Sequence, residues 1–73
     1  MKRIDMNYKE IDKEKIFSYI TSKGGECRVV DIINESGAEQ LRVYAILFEE
    51  YIAGRLLYAQ QSALGAPEVV KLV

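Results

Sequence analysis

The stretch SGAEQLRVYAILFEEYIAG, residues 36–54, decides how the rest of the chain is read. Ser36 and Glu39 have the S-x-x-E spacing of a capping box, in which the hydroxyl accepts from a free backbone N–H and the carboxylate reaches back to the cap. Gly54 can take the left-handed conformation that closes a helix. At about 100° per residue, Val43, Leu47, Tyr51, Tyr44, Phe48, Leu41, Ile52 and Ala45 fall on one continuous arc. Glu49, Arg42, Glu39 and Glu50 fall opposite, with Ile46 and Ala53 among them. The apolar arc is about 200° wide, against roughly 100° for the stripe of a surface helix. Such a helix is expected to meet neighbours on more than one side. It is either the central helix of a small domain or one that also carries a subunit interface.

A chain of 73 residues is read as one domain. At that size it buries only about 60% of the surface its unfolded chain exposes, so good packing or a partner matters. With 49% hydrophobic and 29% charged residues it has the composition of a globular protein. No run of about 20 apolar residues suggests a membrane span. The N-terminal MKRIDMNYKEIDKEK has charges without the apolar core of a secretory signal. The single Cys27 excludes an internal disulfide, and a reducing, cytoplasmic compartment is expected. The net charge of −1 is unevenly spread. Residues 1–28 have seven Lys/Arg against five acids, residues 29–54 have five acids against Arg42, and the remainder has two cations against Glu68.

In chain order, residues 1–11 read as a polar, flexible arm or as the lead-in to a first helix. Asn7 and Glu10 offer one start near Tyr8, and Asp12 offers the competing one. The pattern favours a helix over residues 12–23, with Ile16, Phe17 and Ile20 inward and Gly24-Gly25 as its stop. Glu26-Cys27-Arg28 is a short extended piece, and residues 29–35 form a short second helix with Val29, Ile32 and Ile33 apolar. Ser36-Gly37 breaks it, and the tight connection to the long helix makes a helix-turn-helix unit. Residues 56–61 and 68–73 are strand candidates flanking the loop SALGAP, which gives an antiparallel hairpin.

This order resembles the winged helix-turn-helix superfamily. The resemblance is carried by RVVDIINESGA, by Val43 and Leu47 four apart, and by Gly54 and Leu56 leading into the hairpin that ends Val70-Lys71-Leu72. It covers nearly the whole chain from about residue 12. It implies an α+β winged helix: three helices, with a helix-turn-helix, and a two- or three-stranded wing. It also implies a DNA-binding transcriptional regulator, with the third helix in the major groove and the wing on the minor groove or backbone. Two features depart from that pattern. Where the family commonly has an apolar residue three after the position of Leu47, this chain has Glu50, with Tyr51 expected to fill the place. The outer arc of the long helix and the wing loop also lack the basic stripe of a DNA reader.

The candidate residues follow from the two functional readings. For nucleic acid they are Gln40 and Arg42, by their base-pairing chemistry, and Arg3, Lys13 and Arg28 as phosphate-directed cations. For a protein interface or homodimer they are Tyr44 and Tyr51 on the long helix, and Leu57, Ala59 and Val69 on the hairpin. Both hairpin faces read as apolar, where one covering a single core should alternate. Catalysis has no support: there is no histidine, and Cys27 has only Arg28 beside it. One cysteine and no histidine supply no metal set, and the glycines have no phosphate-loop spacing, so no cofactor is expected.

Overall fold

The computed structural model describes residues 8–73. Helix α1 runs Tyr8–Ser22, the earlier of the two starts; the Asn7 cap and Arg3 lie outside the described residues. Its inward row is Asp12, Ile16 and Ile20, spaced by four so that all three share one face. The helix ends where Gly25 N–H donates to Ile20 O at 2.9 Å and Gly24 N–H to Thr21 O at 3.0 Å. Gly24 and Gly25 have φ of +86° and +95°, a region that favours glycine.

Strand β1, Glu26–Arg28, leads straight into α2, Val29–Glu35, which buries Val29 and Ile32. After a four-residue connection comes α3, Gln40–Ile52, followed by the strands β2, Leu56–Gln61, and β3, Pro67–Leu72. The sheet is antiparallel with order β1-β3-β2, so the last strand is the middle one. Cys27, Val70 and Tyr58 form one cross-strand row on the core side. Leu56 and Leu72 form the next. No helix among the described residues is long and apolar enough to cross a membrane.

Two details of α3 differ from the sequence reading. The helix starts at Gln40, with Glu39 as its N-cap: the Glu39 carboxylate accepts from Leu41 N–H at 2.8 Å. Ser36 instead ends α2, its Oγ accepting from Ala38 N–H at 3.1 Å. Gly37, at φ +86°, interrupts the helical path, so one helix cannot include both Ser36 and Glu39. The end is as expected. Gly54 at φ +83° donates to Tyr51 O and Arg55 N–H donates to Glu50 O, the paired bonds of a left-handed helix stop.

The second difference is rotation. The inward row of α3 is Val43, Ile46, Leu47 and Glu50, spaced i, i+3, i+4, i+7. Ile46 and Glu50, assigned to the outer arc by sequence, are therefore inside, while Tyr51 is exposed and does not fill the slot of Glu50. The core comprises Ile16 and Ile20 from α1, Val29 and Ile32 from α2, Ala38, Val43, Ile46 and Leu47 at and within α3, and Leu56 and Val70 from the sheet. Because Ile46 and Leu47 are both fully enclosed, Ile46→Ala and Leu47→Ala should each lower the unfolding free energy by about 2–5 kcal/mol in urea titrations. An outward Ile46 would give a change near zero.

Candidate functional site

Among the described residues two carboxylates lie inside the fold, both at the α1–α3 contact. Asp12 is 4% exposed and Glu50 is 3% exposed. Asp12 sits before the first turn of α3, where its Oδ2 accepts from Arg42 Nε at 2.5 Å and from Glu39 N–H at 3.5 Å. Its charge thereby also faces the positive end of the α3 dipole. Glu50 accepts from Arg55 twice, Nε to Oε1 at 2.5 Å and Nη2 to Oε2 at 3.1 Å, with Lys13 Nζ 3.7 Å away. This bidentate fork is the strong form of a carboxylate pair. Lys9 on α1 adds an exposed pair to Glu49 on α3, at 2.6 Å.

These partners displace the acid equilibria in a consistent direction. The Arg42 guanidinium holds the Asp12 carboxyl below its ordinary 3.8, against the opposing effect of burial, with help from the Glu39 amide. The Arg55 guanidinium, with a smaller contribution from Lys13, likewise holds Glu50 below 4.5. Two turns further along α1, Tyr19 donates its hydroxyl proton to Glu35 on α2 at 2.7 Å, and its own titration is pushed up to about 12. The Cys27 thiol is pushed up, mainly by burial.

The candidates for nucleic-acid contact do not converge. Gln40 is exposed at the first turn of α3. Arg42 lies toward α1, paired to Asp12 with its guanidinium 5.6 Å from the Tyr8 ring centre. Lys13 lies between Glu10 and Glu50. Arg28 forms two bonds at 3.1 Å to Asp31, three residues ahead.

The interface candidates are closer together. Tyr44 and Val69 line a groove of about 290 Å³ with Arg28, Val30, Gln60 and Pro67, between α2, α3 and the hairpin. Tyr51 stacks on Tyr58 of β2 with ring centres 4.1 Å apart, which seals the α3–sheet seam. Leu57 and Ala59 are exposed on the outer face of β2, and Ala59 is the extra residue of a bulge with no partner in β3. That outer face is mixed rather than apolar throughout. Because β3 is the middle strand, Lys71 stands between Glu26 and Leu57.

The strongest surface feature lies within the wide apolar arc for which the sequence allows either a central helix or a subunit interface. Leu41, Ala45, Phe48 and Ile52 form a row diametrically opposite the buried row of α3, and all four are exposed. Leu41 is 85%, Phe48 56% and Ile52 65% exposed. The available signal was their spacing: 41, 45, 48, 52 is a row distinct from 43, 46, 47, 50. The loop joining β2 and β3 adds a second apolar point, since Ser62 Oγ accepts from the amides of Leu64 and Ala66 and the Leu64 side chain is 97% exposed.

With both carboxyls depressed, the folded state binds fewer protons than the unfolded chain. Stability is therefore fully present above about pH 5 and is lost as the pH falls through the folded-state values below 3.8 and 4.5. Urea midpoints measured from neutral pH downward should show this decline, and Asp12→Asn or Glu50→Gln should flatten it. A second test separates the charge from its volume. Arg55 and Lys13 remain hydrated without Glu50, so Glu50→Leu should leave stability at pH 7 unchanged or raise it by about 1–4 kcal/mol. A clear loss would show that the fork contributes net stability.

No family model matches the chain, no curated protein matches it, and no solved structure matches it.

Proposed function

We propose that this chain is a winged-helix domain whose third helix docks a protein rather than a DNA groove. The element order and the three-stranded antiparallel sheet are compatible with the winged-helix architecture, with α2 and α3 as the helix-turn-helix and β2–β3 as the wing. The observation that carries the functional reading is the outward row Leu41, Ala45, Phe48 and Ile52 on the helix that would otherwise read bases. Base edges are read by hydrogen-bonding side chains, and that row has none. Phosphate anchoring needs available Lys and Arg. On α3 the one cation is Arg42, already paired to Asp12, and the loop of the proposed wing is Ala63-Leu64-Gly65. A contiguous exposed apolar row of this kind is typical of a contact surface for another protein.

The DNA-binding reading, drawn from the resemblance, makes the opposite forecast in one assay. A mixed-sequence fluorescent duplex should show no anisotropy change with this protein at low salt, where phosphate attraction is strongest. Tight binding that weakens steeply as salt rises would establish the DNA reading and overturn this one.

A further inference from the structure

We infer that the partner for the outward row of α3 is a second copy of this chain, packed antiparallel across a two-fold axis at the middle of the helix. The inference rests on the protein-docking reading above and specifies its occupant. The steps from Leu41 to Ala45 to Phe48 to Ile52 are four, three and four residues, the alternation of a coiled-coil seam. That sequence of steps is the same read in either direction. A two-fold axis between positions 46 and 47 therefore sets Leu41 against Ile52 of the second copy, and Ala45 against Phe48. Each small side chain meets a large one, as interdigitating layers require. An isologous contact needs this reciprocity, in which one residue touches another and the relation holds in reverse.

The flanks are complementary in the same arrangement. On the α1 side of the row stand Arg42 and Glu49, and on the sheet side Tyr44 and Tyr51. Antiparallel pairing brings Arg42 beside Glu49 of the second copy, opposite charges twice over, and Tyr44 beside Tyr51. Arg42 and Glu49 are each about half-exposed within their own ion pairs, which leaves them open to a further neighbour. Parallel pairing would instead set Phe48 on Phe48 and Ala45 on Ala45, large on large and small on small, and would put the Arg42–Glu49 flanks of the two copies on opposite sides of the seam, so that the charge pairing is lost. A seam of eight side chains per copy is well below the roughly 20–30 of a standard interface. The dimer is therefore concentration-dependent, forming at micromolar to millimolar protein.

The experiment combines sedimentation with mixed-copy cross-linking. The native chain should pass from monomer to dimer with rising concentration. Phe48→Glu, at an exposed site that leaves the far-ultraviolet circular dichroism unchanged, should raise the dissociation constant about 30-fold or more, a hot-spot loss incurred by both copies. Ala45→Phe and Phe48→Ala should each weaken association, and the double variant should recover it because the axis exchanges the two positions. In a Cys27→Ser background, Leu41→Cys mixed with Ile52→Cys should form an intersubunit disulfide. Neither should do so alone, since each is about 16 Å from its own copy in the antiparallel pair. Cross-linking of Leu41→Cys to itself would overturn the geometry, and a monomer at millimolar concentration would overturn self-association. With no duplex binding, that monomer leaves the protein-docking reading in place with an unlike partner. Duplex binding removes the reading itself.

Discussion

Placing Glu50 inside the fold sets the arrangement of everything around it. A carboxylate that is 3% exposed must be neutralised by close partners, and among the described residues two cations, Arg55 and Lys13, are placed to do so. Arg55, five residues on, reaches back because Gly54 turns the chain sharply at the end of α3. Lys13 approaches from α1. The carboxylate therefore ties together the end of α3, the start of the hairpin and the middle of α1. Asp12 does the same at the other end of α3, through Arg42 and the amide of Glu39. With Lys9 and Glu49 beside them, the polar contacts lie along the α1 side of α3 and leave the helix little freedom to turn about its axis.

That rotation is the part of the structure least legible in the sequence. The existence of α3, its end at Gly54, the short α2, the extended piece at Cys27 and the hairpin all follow from local signals: glycine stops, apolar periodicity and β-branched runs. The orientation of α3 does not, because an apolar arc of about 200° contains two rows. Periodicity cannot say which one meets the core. Hydropathy places Glu50 outside, and only the approach of Arg55 and Lys13 in three dimensions reverses that. The N-cap differs for a related reason: Ser36 fits a capping box by spacing, but its hydroxyl accepts from Ala38 N–H at the end of α2, and Gly37 at positive φ breaks the helical path to Glu39.

The candidate site was half legible. Tyr44 and Val69 do share a groove. The acidic outer arc read from the sequence is not the outer face of the helix: Glu50 is buried, and the face opposite the core is Leu41, Ala45, Phe48 and Ile52. What counts cannot show is how cations are used. Lys13, Arg28 and Arg42 would all pass as phosphate contacts in a list, yet each faces a carboxylate of its own chain. Conversely, Leu41, Phe48 and Ile52 would pass as core in any list, and they are the most exposed part of α3.

The two observations are connected. A domain this small gains little from its interior, and a charged group in a core position reduces that gain further. A leucine at position 50 would remove the cost. It would also remove the only polar member of the inward row Val43, Ile46, Leu47, Glu50. Inward and outward rows would then both be wholly apolar, distinguished by side-chain shape alone. With glutamate there, a turned helix would take the carboxylate away from Arg55 and Lys13 and would bury Phe48 or Leu41 in place of Ile46. The ion pair thus keeps one apolar row inside and holds the other at the surface, where a partner can reach it.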